Sequence, residues 1–402
     1  MSPQRTPLFT FRFSALCLLM LLAYCNISIF YSLYTYLEGL GIAQQWCGPI
    51  ISSSSLATIF SFLFVTPRLT ERTAPKAVFA GIVLLIACGL AYLLLRDTLG
   101  LLLLRLVNGA GIALLTAAAM TLLVGEIPPE RSGQAFGFYS VAMLLPYSIV
   151  PAVFDHLGGL LPNAAYGYAL MSLALAPAAL VNLALLRHRK AQDAARHRRA
   201  EASPARGVGF AAMLESVRTP SIGLLLLLNS VYYLNFSALF FLSKSLFADR
   251  GLGGVGLFFS IQTGLMLATR LAATRLFDEV SKPLLILWCY ALTALGFAML
   301  WTTHGQAMVV ATALVLGLGM GVGPPSLNAL MFSLSGPQMK AVNSNLMVMA
   351  LQGGSFLGPI LGGMAVGLLG YPGFLAVGLA ANCGGMWLSL LFQRRGWTGQ
   401  AA

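Results

Sequence analysis

The sequence predicts an all-α membrane protein of twelve transmembrane helices in two pseudo-symmetric six-helix bundles, and three observations predict it. The first is composition: 58% of the 402 residues are hydrophobic and 9% are charged, with a mean hydropathy of +0.82. That leaves too few polar groups to cover a water-soluble globule. The second is the length of the apolar runs. A bilayer core about 30 Å thick takes roughly 20 apolar residues per helical crossing, and twelve such stretches occur: 11–37, 45–66, 76–96, 98–124, 132–158, 163–187, 218–247, 253–275, 283–303, 305–333, 339–368 and 371–393. The third is recurrence. Tyr24-Cys25-Asn26-Ile27-Ser28 returns 209 residues later as Tyr233-Leu234-Asn235-Phe236-Ser237. Gly109/Gly111 and Gly317/Gly319 are 208 apart, as are Pro151 and Pro359, and Glu71 and Asp278 are 207 apart. So steady an offset marks two related halves rather than a solenoid: residues 1–187, a basic linker 188–217, and residues 218–402.

The basic residues orient the spans. Of the 24 Lys and Arg, all but Arg96, Arg105, Lys244 and Arg250 fall on the side of the N-terminus, the even-numbered connections and the C-terminus. Cytoplasmic connections are enriched in such residues, so both termini and the linker are expected in the cytoplasm. The net charge of +12 is read as topology. A run such as Arg196-His197-Arg198-Arg199 suits anionic headgroups, so membrane lipids are expected partners and nucleic acid is not.

Span one opens behind Arg5 and Arg12 like a signal peptide, but its apolar run is too long and lacks a cleavage site, so it is read as retained. Its second half turns polar and aromatic. At about 3.6 residues per turn Tyr24, Ser28, Tyr31 and Thr35 share one helix face, and Asn26 points nearly opposite. Span two carries Ser52-Ser53-Ser54-Ser55, hydroxyls that bond back to helical carbonyls. It ends in the turn Pro67-Arg68-Leu69-Thr70-Glu71-Arg72-Thr73-Ala74-Pro75-Lys76, which leads into span three. Span four holds Leu104-Arg105-Leu106-Val107-Asn108-Gly109-Ala110-Gly111. A guanidinium in hydrocarbon costs at least ~2.5–3.5 kcal/mol, so Arg105 faces a cavity or a partner, or else snorkels outward. After the connection Glu126-Ile127-Pro128-Pro129-Glu130-Arg131, span five contains Pro146 and Pro151, with Asp155 near its outer end. Span six runs apolar to the linker.

Span seven repeats the style of span one, with Asn229, Tyr232, Tyr233, Asn235, Ser237 and Lys244. Span eight ends in Thr274-Arg275-Leu276-Phe277-Asp278-Glu279-Val280-Ser281-Lys282-Pro283, ahead of span nine. In both of these turns an acid beside bases can latch helix ends together. Span ten carries Gly317-Leu318-Gly319-Met320-Gly321-Val322-Gly323, read as close helix packing because a phosphate loop needs a strand context and a Lys-Ser/Thr pair. Gly358-Pro359 in span eleven lets that helix bend, and span twelve completes the second set. The six cysteines have no CxxC spacing and the four histidines are scattered. No catalytic residue, metal site or cofactor is expected, and the chain is not read as an enzyme.

The two turns resemble the loop signature of the major facilitator superfamily, Gly-x-Leu-Ala-Asp-Arg-x-Gly-Arg-Lys, between helices two and three and between eight and nine. Leu69, Arg72 and Lys76 keep the pattern, Glu71 replaces its Asp, and Asp278 keeps that Asp in the second copy. Span four is similar to the family's Arg-x-x-Gln/Asn-Gly-x-Gly signature, where the Arg is linked to proton coupling or substrate charge. The resemblance implies a monomeric secondary active transporter of the bacterial inner membrane that works by alternating access. Its loops look like those of exporters of drugs or secreted metabolites such as siderophores, proton antiporters among them. An uptake permease for a sugar or organic acid is the alternative, and a membrane sensor a third.

For a small-molecule substrate, the expected cavity residues are Asn26, Tyr31, Arg105, Tyr139, Tyr147, Tyr233, Asn235, Gln262, Asn328 and Gln352. They make a polar and aromatic cavity short of acids, which suits a neutral or anionic solute. Since Asn26 and Tyr31 point apart, one of them is expected to be a packing residue. Coupling or gating is expected of Arg105 with Asp155, and of the loop residues Arg68, Glu71, Arg72, Glu126, Arg131, Arg275 and Asp278. Protons are the expected coupling ion.

Overall fold

The computed structural model describes residues 9–65, 68–70, 72–124, 126–127, 132–185, 210–272, 280–336 and 339–397, among which every regular element is a helix. Thr10 accepts a hydrogen bond from Phe13 N at 3.2 Å and so caps the first helix, α1 (Phe11–Gly39). Inside α1, Ile29–Ser32 tighten to a 3-10 turn, where the Ser28 and Ser32 hydroxyls bond back to the carbonyls of Cys25 and Ile29. There follow α2 (Gln44–Phe64), α3 (Ala74–Ala91), α4 (Thr98–Val124), α5 (Ser132–Leu157) and α6 (Ala164–Leu185). The second set begins with α7 (Pro220–Asp249), α8 (Val255–Ala272), α9 (Lys282–Trp301) and α10 (Gln306–Leu334). Pro75, Pro220 and Pro283 stand in the first turns of α3, α7 and α9, where a missing N–H costs no helical bond.

The last helical run, Lys340–Arg394, is interrupted at Gly370, whose φ of 69° lies in the left-handed region that side chains disfavour. This single residue divides α11 (340–369) from α12 (371–394). The 18 described residues of α8 already fall within the length that crosses a bilayer core. The expected linker is partly helical: residues 188–209 lie outside the described residues, but Phe210–Arg218 forms a helix. Its Phe210, Met213, Leu214 and Val217 recur at helical spacing. It packs on α7 and α11, and Ser216 hydrogen-bonds Asn343.

Each half is built around one helix of small residues. α4 packs against both α2 and α3: a Cβ on Gly109 would collide with the Ser54 backbone, and one on Gly111 would lie 3.3 Å from the Leu85 side chain. α10 packs against α8 and α9 in the same way, with Gly317 opposite the Gln262 carbonyl and Gly319 opposite Leu292. In lipid no hydrophobic drive joins helices, so this close approach supplies van der Waals contact instead. Farther along α10, Pro324 has no N–H to give the carbonyl of Met320. Tyr232 of α7 supplies the missing donor, its hydroxyl reaching that oxygen at 2.8 Å. The halves meet along two helix pairs, α2 with α11 and α5 with α8, and the last turns of α1 lie on α7.

Candidate functional site

At the end where α1 leads into α2 and α7 into α8, here called distal, the two halves touch backbone to backbone. A Cβ on Gly48 of α2 would stand 2.5 Å from the Pro359 carbonyl oxygen and 2.9 Å from Ile360 Cα of α11. A Cβ on Gly256 of α8 would stand 2.6 Å from Ala152 Cα and 2.9 Å from the Pro151 carbonyl oxygen of α5. Gly48 and Gly256 are 208 positions apart, and so are Pro359 and Pro151. One glycine-on-proline contact is therefore made twice, once on each side of the seam.

Polar and aromatic side chains complete this closure. Thr35 and Ser245 share a hydrogen bond at 2.7 Å, Ser245 Oγ donates to Glu38 Oε2 at 2.9 Å, and Gly256 N donates to Asp155 Oδ2 at 3.3 Å. The Ser148 and Ser260 hydroxyls bond each other's carbonyls at 3.3 and 3.0 Å. Lys244 Nζ lies 3.4 Å from the Tyr31 hydroxyl and 4.8 Å from the centre of its ring, a cation–π arrangement. Nearer mid-depth, Tyr147 packs edge-on against Phe236 and Phe240, with ring centres 5.9 and 5.0 Å apart.

Toward the other, proximal end a cavity of about 250 Å³ opens between the halves. Ser140 and Val141 of α5 form one wall, and Leu267, Arg270 and Leu271 of α8 with Pro324, Pro325 and Asn328 of α10 form the other. Arg270 Nη1 donates to Ser140 Oγ at 3.3 Å across the seam, while its Nε is buried with no partner. No carboxylate lines this cavity among the described residues. Asn328 gives Nδ2 to the Pro324 carbonyl at 2.9 Å.

Of the residues expected in the cavity, Asn328 lines it and Tyr31 and Tyr147 stand at the seam above it. Tyr233 packs on Tyr232 and Phe236 within α7, and Tyr139 packs against an apolar cluster of the first half that includes Phe13, Leu16 and Leu123. Asn26 is fully buried, donating to Ser172 of α6 at 2.8 Å, on the opposite side of α1 from Tyr31. Asn235 bonds its own helix at the Val231 carbonyl, 3.0 Å away, and Gln262 reaches Met320 Sδ at 3.1 Å. Gln352 is half-buried.

Arg105 is 4% exposed. Its Nη1 donates to Asn108 Oδ1 at 2.9 Å and Nη2 to the Ile51 carbonyl at 3.2 Å, and its guanidinium lies 4.7 Å from the Phe30 ring. These partners all belong to the first half, and Asp155, expected beside it, bonds Gly256 instead. Glu126 pairs with Arg12 at 2.8 Å, and Arg68 and Arg72 are exposed. Glu71, Arg131, Arg275 and Asp278 lie outside the described residues.

The cavity residue that sequence reasoning missed is Arg270. By sequence it falls among the basic residues of the cytoplasmic side, five positions before Arg275. The signal that distinguishes it is direction: side chains lean toward the N-terminus of their helix, and for α8 that lean points into the protein.

A family profile described as Major Facilitator Superfamily matches residues 16–359 of the chain. No curated protein matches it. Among solved structures, a POT family transporter in complex with a thioalcohol-conjugated peptide is similar over 97% of this chain and 96% of its own, at TM-score 0.74 and 14% identity. The nucleoside transporter NupG is similar over 95% and 99%, at TM-score 0.73 and 12% identity. A bacterial homolog to the human lysosomal transporter Spinster, inward-facing and occupied, is similar over 96% and 95%, at TM-score 0.66 and 13% identity. At these identities the likeness is one of fold.

Proposed function

Because the chain belongs to the major facilitator superfamily, we propose that this transporter moves a small polar solute, neutral or anionic, by alternating access, driven by protons. The observation that carries the reading is the paired contact of Gly48 on Pro359 and Gly256 on Pro151 at the distal end, with a cavity open between the same halves at the proximal end. Halves hinged on two equivalent contacts can rock about a site between them. With the basic connections in the cytoplasm of a bacterial inner-membrane protein, the cavity faces the cytoplasm in this state. The proposed direction is export, on the likeness of the loops around Arg72 and Glu126 to those of exporters. The cavity carries no carboxylate among its described lining residues, which favours a neutral or anionic solute over a cation. Asp155, whose carboxylate holds the α8 N-terminus at the closure, is the proposed proton carrier.

The test is transport by the purified monomer in proteoliposomes under an imposed pH gradient, with small organic acids and neutral polyols as solutes. Accumulation against the solute gradient, abolished by a protonophore, is the expected result. Failure to move any solute uphill removes the active-transport reading, and accumulation on the cytoplasmic face reverses the direction.

A further inference from the structure

We propose that Arg270 is an anion-binding residue: with Ser140 and Asn328 it forms a subsite for the carboxylate of a small organic acid passing through the cavity. The proposal rests on the transporter reading above and narrows its solute. Arg270 stands in the last described turn of α8, toward the proximal surface where a basic residue ordinarily reaches out to lipid headgroups. The geometry takes it elsewhere. The N-terminus of α8 is at the distal end, so the lean of its side chains carries the guanidinium away from the proximal surface and toward mid-depth. There it crosses the seam to Ser140 of the other half.

Its donors are underused. A guanidinium presents several N–H groups in a planar fork that matches a carboxylate, and here one of them makes a single long bond of 3.3 Å while Nε is buried and unpaired. Among the described residues no Asp or Glu forms an ion pair with Arg270. Arg270 is half-buried, and with no carboxylate facing it among the described residues its charge attracts an entering anion and repels a cation. On the same wall Pro324 and Pro325 carry no N–H to bind an anion, and Asn328 spends one of its two Nδ2 hydrogens on the Pro324 carbonyl and keeps the other for a carboxylate. Ser140, an alcohol that now accepts from Arg270, is free to donate to a carboxylate oxygen bound beside it.

The test uses the full chain in phosphatidylcholine nanodiscs, with lactate, benzoate and glutarate as probes and their amides as controls, read by thermal unfolding. At least one acid is expected to raise the unfolding temperature while its amide does not. R270Q is expected to abolish that difference, and R270K, which keeps the charge without the fork, to retain it with an apparent affinity weakened about tenfold. If R270Q does not fold, R270K carries the comparison. The proposal is overturned if no acid stabilises the wild type, if acids and amides act alike, if R270Q keeps the wild-type preference, or if R270K binds the acid as tightly as the wild type. Transport in proteoliposomes separates this proposal from the reading beneath it. Acids that bind but are never moved would remove the transporter and leave the subsite, whereas acid transport untouched in R270Q would remove the subsite and leave the transporter.

Discussion

Three polar side chains of the first half show how burial and partner decide what a residue is for. Arg105 is held by Asn108 and the Ile51 carbonyl, so it joins α4 to α2 as a fully enclosed cation. Arg105→Ala would leave Asn108 Oδ1 unpaired in an apolar interior, at about 1–3 kcal/mol, and empty the space the guanidinium fills beside Phe30. The expected outcome is a lower unfolding temperature and less protein in the membrane, measured beside a solute preference that does not change. Asn26 ties α1 to α6 through Ser172, and interhelical bonds of this kind average ~0.6 kcal/mol in a bilayer. Asn26→Ala should therefore lower stability slightly and leave KM for the transported solute within error. Asp155 differs from both because its partner, Gly256 N, belongs to the opposite half. Asp155→Asn keeps an acceptor oxygen but no proton to release, so it should retain downhill exchange and lose accumulation driven by a pH gradient.

Between helices, the decisive features are missing atoms. Gly48 and Gly256 have no Cβ, and the atoms a side chain would meet there are backbone, which cannot swing aside. Gly48→Val and Gly256→Val should each hold the distal end open and slow transport, and the pair together should stop it. Increased alkylation from the distal side of a cysteine placed by Thr35→Cys, whose native hydroxyl bonds Ser245 at the closure, is the measurement that checks this. A missing N–H matters as much. Tyr232→Phe strips the donor from a Met320 carbonyl already freed by Pro324, so it should destabilise the protein; Pro324→Ala, which restores the helical N–H, should relieve most of that loss in a double-mutant cycle with a coupling of about 0.5–2 kcal/mol.

For the whole molecule, duplication is what makes a closure possible at either end of one cavity. The glycine-on-proline contacts and the Gly-x-Gly joints recur at an offset of 208. The Tyr-x-Asn-x-Ser repeat, at 209, is one residue out of step, about 100° around a helix. Its two asparagines accordingly have unlike partners, Ser172 of a neighbouring helix for Asn26 and the Val231 carbonyl of its own helix for Asn235. A repeat of letters is not a repeat of positions unless packing keeps the register. Only pairs in that register are expected to behave alike when substituted.

The sequence by itself determined the class of the elements and the membrane-spanning stretches, because hydrocarbon admits only helices of a certain length and composition records that directly. It also determined the duplication and the glycine-rich joints, since close helix approach demands small residues at fixed spacing. The occupants of the seam were decided by tertiary structure alone. Arg105 and Arg270 are the same residue type in similar apolar contexts, yet one is enclosed by α2 and Phe30 and the other reaches Ser140 of the opposite half. Which of them a solute can meet depends on what stands within a few ångströms in space, and that is set by how the two halves face each other rather than by any local pattern in the chain.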